Sequence, residues 1–419
     1  MSSTLVDARR RHPTGRVIGI RPAPERVRRL PRIRRPRMPF AVVTDRTHTP
    51  PLFWTILGAV AALSLIGLVF VLSASSWKAS REFDSSWHWF SRQSISLGVG
   101  VVALAVGVRV PYQFWVRHAR VWLWGALCLL CLVLIPAGLS HSRNGSRRWL
   151  GPEAIAFQPS EVAKLAMILW LAWLLSTRAS RIRESRVTIV PALVVLVVVS
   201  ALVVVEPDLG TTVLICAVTF IMLAVAGVRL DSLAGMVAPF ASIAVFLAFQ
   251  GYRGDRMMAF LDPWEQATRA GWQTLQSRVG IASGGLFGVG IGNGRSKWGF
   301  LPEAHTDFIF SVIGEEVGLL GSLVVLGLFV LVVIAGIQAG RRARDRAGSV
   351  VAIGISSWIG MQALFNIGVA VGVLPNKGIP LPLVSYGGSS LIVTLFAVGI
   401  LLNVARHPTT VPPAVPRRR

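Results

Sequence analysis

The chain is built of long, continuously apolar runs separated by shorter polar segments. The runs lack the every-other-residue alternation of half-buried strands, so they predict helices. Ten are identified: Phe53 to Leu72, Ile95 to Val108, Val121 to Leu139, Pro159 to Leu175, Val187 to Val205, Thr211 to Ala226, Leu230 to Phe249, Asp307 to Ile337, Val350 to Val373 and Leu391 to Ala405. Several reach the roughly 20 residues that cross a hydrocarbon layer. The second is short and Gly-containing. Pro159 is well placed as a first helical residue. The expected fold is an all-α polytopic membrane protein of ten transmembrane helices. Its longest connection, Gly251 to Thr306, lies between the seventh and eighth, and a loop of that length points to function.

Composition agrees. Hydrophobic residues make up 53% of the 419 and charged ones 15%, against about 25% charge in soluble domains. The net charge of +24 is unevenly spread. Arg9, Arg10, Arg11, Arg28, Arg29, Arg32, Arg34, Arg35 and Arg37 crowd a proline-rich N-terminal segment. Residues 1–50 are therefore expected to be a disordered basic tail against anionic lipid in the cytoplasm. Without interleaved aromatics the tail is not read as a nucleic-acid binder. Residues 51–406 form one membrane domain, and 407–419 a second cytoplasmic tail. With the first tail inside, the Arg-rich loops after spans two, four, six and eight also fall inside, as the positive-inside rule requires. Both termini are then cytoplasmic. The 147–149 loop, the Glu206–Gly210 turn, the 251–306 loop and the Lys377 loop face outward. Cys128, Cys131 and Cys216 lie in apolar runs and are read as packing residues.

One stretch concentrates the chemistry: Leu301-Pro-Glu-Ala-His-Thr-Asp-Phe-Ile-Phe, running into Ser311, Gly314, Gly318 and Gly321. Pro302 blocks a helix before it, His305 or Thr306 can cap the helix after it, and Asp307 is expected in the first turn. Helical spacing puts the four small residues on the Asp307 face, a groove with a carboxylate at its mouth. The helix N-terminus would hold Asp307 ionised, able to accept a proton, bind a cation or cap the helix. Within the fourth span, Glu161 and Lys164 are spaced to pair, and they either tie helices together or line a polar cavity. Glu315 and Glu316 lie two turns beyond Asp307 and are expected in structural or cavity-lining roles, not in direct chemistry. Arg147, Arg148, Arg253, Arg256, Arg278, Lys297 and Lys377 supply outward cations for a diphosphate or for lipid headgroups. Trp149, Trp264, Trp272 and Trp298 are candidates for sugar stacking or interfacial anchoring. The Gly288–Gly294 run has no preceding strand and is not read as a nucleotide loop. No His/Cys/Asp cluster has metal spacing, although His305 and Asp307 could share a divalent cation (Mg or Mn) with substrate phosphates.

Three motifs carry a resemblance. NGSRRWLGPEAIAFQPSEVAK, LPEAHTDFIFSVIGEEVGLLG and LPNKGIPLPLVSYGGSS occur in this order. Over roughly Leu52 to Arg406 the chain resembles the SEDS family, membrane glycosyltransferases of shape, elongation, division and sporulation. The resemblance implies polymerisation of lipid II into peptidoglycan, with Asp307 as the essential acid. It implies that the motif residues Glu161 and Lys164 line a central region, and it places His305, Lys377 and Ser385 near substrate. EAHTDF and the Lys of PNKG resemble the division branch more than the elongation branch, which implies septal placement. A class B penicillin-binding protein and other division proteins are the implied partners. The alternatives are an elongation polymerase, a transporter that flips lipid II, or a noncatalytic scaffold.

Overall fold

In a computed structural model the described residues are 50–135, 140–143, 146–152, 156–182, 184–268 and 271–407. The expected basic tail, apart from Pro50, and the C-terminal tail, apart from His407, lie outside them. The helices are α1 Pro51–Phe83, α2 His88–Arg109, α3 Tyr112–Arg117, α4 Ala119–Leu134, α5 Pro159–Thr177, α6 Val190–Val205, α7 Leu209–Val225, α8 Leu230–Ala248, α9 Tyr252–Leu261, α10 Gly271–Gly284, α11 Ile309–Arg341, α12 Arg346–Ala370 and α13 Gly388–Arg406. Eight are long and apolar enough to cross a membrane; α4 and α7 are shorter apolar helices, and together they account for the ten expected spans among the described residues.

Several boundaries differ from the hydropathy reading. α1 continues to Phe83 because Ser75–Phe83 contains no glycine or proline; it stops where Asp84 turns left-handed, at φ 52°. At about 1.5 Å per residue it outruns the hydrocarbon layer, so Lys78 rides on a polar extension. α2 begins at His88, a full seven residues before the apolar run. The loop after α4 is a small hairpin, β1 Ser140–Arg143 with β2 Ser146–Leu150. The long connection after α8 is largely helical, holding α9 and α10.

The most enclosed spans are α5, α12 and α13. α13 lies close against α2: a Cβ on Gly107 would sit 2.8 Å from the Phe396 carbonyl oxygen, and one on Gly399 2.4 Å from that of Leu104. Small residues here let two backbones touch.

The small-residue face of α11 is filled by protein. Ser311 Oγ lies 2.5 Å from Ser277 Oγ of α10, and Gly314 packs on Ile281. It is therefore not an open groove. Deeper, α11 is interrupted at Gly318, whose φ of 69° is left-handed. The backbone groups freed there are taken by the segment after α10: Val289 N donates to Glu315 O (3.0 Å), Gly290 N to Glu316 O (2.9 Å) and Leu319 N to Gly285 O (2.9 Å). A broken helix needs such partners where water is scarce.

Candidate active site

Asp307 lies just before α11, not in its first turn, and neither His305 nor Thr306 caps the helix; Phe308 occupies the cap position without a side-chain bond. The turn is instead organised by Glu303. Its carbonyl oxygen accepts from the amides of Thr306 (3.2 Å), Asp307 (3.1 Å) and Phe308 (3.4 Å). Asn366 of α12 donates from Nδ2 to the Asp307 carbonyl oxygen and to that of Ile379, both at 2.8 Å. One side chain thus ties the Asp307 turn to the Lys377 loop. Gly378 completes the approach. Its φ is 62°, and a Cβ there would sit 3.4 Å from Asp307 Oδ2.

Burial is the main cause that pushes the Asp307 carboxyl up to about 6; the charges of Glu303 and Asp208 add to it, and Arg256 and Arg148 oppose it. The helix end does not win. At pH 7 the group is still about nine-tenths ionised, yet far more basic than an ordinary aspartate.

Lys377, next to Gly378, belongs to a small cleft lined on its polar side by Arg148, Arg253, Arg256, Asn376 and Lys377. Arg148, on β2, is committed to the turn between α6 and α7. Its Nε donates to Glu206 O at 3.0 Å, Nη2 donates to Pro207 O, and Nη1 is 3.9 Å from Asp208 Oδ2. Asp208 caps α7 by accepting from Thr211 N at 3.0 Å. Burial, with Asp208 alongside, raises Glu206 to about 8. Arg253 and Arg256 come from α9. The Lys377 ammonium has no ion-pair partner among the described residues, and burial lowers its pKa. This is a cationic cleft whose Lys377 loop is tied to a basic carboxylate, chemistry suited to a phosphorylated substrate and a hydroxyl.

A family model described as "Cell cycle protein", for FtsW, RodA and SpoVE, matches residues 53–410. The chain belongs to this family. It is 41% identical over 351 residues to a probable peptidoglycan glycosyltransferase FtsW of Geobacter metallireducens, covering 84% of this chain and 93% of that one. It is 40% identical over 367 residues to the stage V sporulation protein E of Bacillus subtilis, covering 87% and 99%. Among solved structures, a chain from work on polymerization and crosslinking by a peptidoglycan synthase complex superimposes with a TM-score of 0.70 at 30% identity, covering 84% of this chain and 97% of that one. RodA of Thermus thermophilus gives 0.62 at 30% identity, with coverage of 84% and 96%.

As a member of the FtsW/RodA/SpoVE family, this multi-pass membrane protein brings only part of the expected residue set to the cleft. Arg148, Arg253, Arg256 and Lys377 gather there. Arg147 is placed on β2 by its backbone, and its side chain lies outside the described residues; Trp149, on the same strand, is half-buried. Lys297 goes elsewhere. It is buried against Glu316 at 3.2 Å and Ser73 Oγ at 3.3 Å, and it also donates to Gly292 O. Beside it Glu315 accepts from the Arg295 and Ser296 amides, so this group pins the loop before α11 to α11 and α1. Arg278 is likewise spent on Gly372 O at 2.9 Å. His305 is buried, its ring 5.4 Å from that of Trp89 and 5.8 Å from that of Tyr386. Ser385 is buried too, its Oγ accepting from Leu381 N at 2.8 Å. Both fasten loops.

Glu161 and Lys164 pair at 2.9 Å, fully buried, and Lys164 Nζ also reaches Gln362 Oε1 at 2.9 Å. Gln362 Nε2 donates in turn to Pro380 O at 2.9 Å. The pair therefore supports the Lys377 loop from one turn of α12 below Asn366. Among the described residues no group of three or more His, Cys, Asp or Glu could hold a metal. Sequence reading missed Asn366, Gln362 and Glu303. Only the i, i+4 spacing of the first two, one face of an otherwise apolar helix, signals them.

Proposed function

We propose that this chain is a peptidoglycan glycosyltransferase that polymerises lipid II into glycan strands during cell division. The observation that carries the reading is Asp307, a carboxyl raised to about 6 and tied through Asn366 to the loop whose Lys377 lines a cleft of cations. The acceptor sugar's 4-hydroxyl gives its proton to Asp307 as its oxygen attacks the donor's anomeric carbon. The bond from that carbon to the diphosphate breaks, and the lipid diphosphate leaves with the electron pair. Lys377, with no ion-pair partner among the described residues, and the α9 arginines face the leaving diphosphate. A positioned base of this kind contributes about 10²- to 10⁴-fold.

The cleft faces the extracytoplasmic side. Arg341, Arg342, Arg344 and Arg346 lie at the far end of α11, and Arg178 and Arg181 at the far end of α5, which supports a cytoplasmic placement for that end. Both termini are then cytoplasmic. The division branch is supported by relatives named FtsW at 41% and 42% identity over most of the chain. A class B penicillin-binding protein is the partner that crosslinks the strands, in line with the structural neighbour from a complex that coordinates the two steps.

Purified protein with its partner is assayed for glycan strands from lipid II, parent against Asp307→Asn. Loss of polymerisation is expected. Undiminished synthesis by the variant removes the base, and Asp307-dependent passage of lipid II across vesicles without synthesis would make the chain a transporter.

A further inference from the structure

Glu303 stands out on three counts. It is a non-glycine residue at φ 56°, a conformation side chains rarely adopt. Its carbonyl oxygen gathers the three amides of the Asp307 turn. Its carboxylate accepts from Thr306 Oγ1 at 3.0 Å and lies 3.7 Å from Lys78 Nζ. Both members of that ion pair are about one-third exposed, with side-chain exposures of 34% for Lys78 and 29% for Glu303. Such a pair by itself contributes little to stability.

We propose that Glu303, with Lys78 of the α1 extension as its counterion, is the positioning residue of the glycosyl transfer: its backbone aims the Asp307 carboxyl, and its charge helps that carboxyl take up the acceptor's proton. This rests on the reading of Asp307 as the base. An ordinary aspartate is too acidic to draw a proton from a sugar hydroxyl efficiently, and a neighbouring negative charge corrects that. The groups that act on Asp307 are Glu303 and Asp208 on one side of the balance and Arg256 and Arg148 on the other. Glu303 is the larger of the two acidic contributors. Lys78 moderates it, so the length of α1 beyond the membrane acquires a purpose: it carries a cation to the active-site turn. The sequence places these residues 225 positions apart, and only the fold joins them.

The test uses the full chain with its partner in lipid nanodiscs and two readouts. One is the pH profile of lipid II polymerisation. The other is infrared titration of the Asp307 carboxyl, identified by its disappearance in Asp307→Asn. Glu303→Gln, which keeps an acceptor for Thr306, is expected to move both midpoints down by about half a unit. Lys78→Gln is expected to move them up by a smaller step. Opposite shifts are the signature, since a merely structural role lowers the rate at every pH and leaves the midpoints in place. Unmoved midpoints with Asp307-dependent synthesis intact overturn this inference alone. Shifted infrared midpoints in a protein whose synthesis ignores Asp307 overturn the proposed reaction, and the role of the pair in it. If Glu303→Gln does not fold, the exposed Lys78→Gln carries the test by itself: an upward shift supports the pair, and no shift refutes it.

Discussion

Asn366 offers the sharpest test of how the site is held. Its amide donates two hydrogen bonds of 2.8 Å, one to each of the segments that carry Asp307 and Lys377, and the residue is 1% exposed. Asn366→Leu keeps the volume and removes both donors. Two buried carbonyl oxygens then lose a partner, at about 1–3 kcal/mol each, so a destabilisation of about 2–6 kcal/mol is expected in thermal or denaturant unfolding. The catalytic effect is separate. Without the tether, the Asp307 turn and the Lys377 loop are free to drift apart, and a displacement near 1 Å costs about 10²-fold in rate. Asn366→Ala leaves room for water to reach the two carbonyls and should lose less stability than Asn366→Leu, with a comparable loss of rate. The assay is initial polymerisation rate at saturating lipid II, on protein shown to be folded at the assay temperature. A rate for Asn366→Leu within about threefold of the parent, equivalent to about 0.6 kcal/mol, would show that the tether does not set the geometry.

The same contacts predict other outcomes. With Asp307 as the proposed base and its carboxyl near 6, the rate should fall about tenfold for each unit below that value and level off above it; a profile flat from pH 4.5 to 7 contradicts the assignment. Lys297→Met leaves the fully enclosed Glu316, among the described residues, with Ser73 as its one remaining donor side chain. It should cost about 3–5 kcal/mol, much of it recovered when Glu316→Leu is added, as measured by unfolding of the single and double variants. Gly318→Ala requires a left-handed alanine and puts its Cβ 2.4 Å from Gly288 N, whereas Gly327 on the same helix has nothing within 4 Å. The first should lower the unfolding temperature and the second should not, and equal thermal stability of the two variants would mean that the break in α11 is dispensable.

The ten spans were legible because hydrophobicity acts as a sum over about 20 residues, and a backbone in hydrocarbon must close its own hydrogen bonds. No detail of packing alters that requirement. The motif around Asp307 was equally plain, since proline, histidine and aspartate ahead of a long apolar run stand out in any frame. Pairing is another matter. Lys297 and Lys377 are both lysines in Gly-containing loops, yet one is sealed against Glu316 and the other lines the cleft. The difference is which helix each loop meets. The stripe Ser311, Gly314 and Gly318 read as an open groove because small residues mark any close approach, and the partner turned out to be α10. The hydropathy of residues 75–83 concealed that α1 continues, because the extension is polar in composition although Ser75 and Ala79 are buried. The sequence by itself therefore settled that this chain crosses the membrane many times, and it singled out Asp307 as the candidate acid. Only the tertiary structure decided which cations surround that acid, that Asn366 and Glu303 hold it, and how basic it becomes, because those depend on distances between segments that the chain brings together only when it packs.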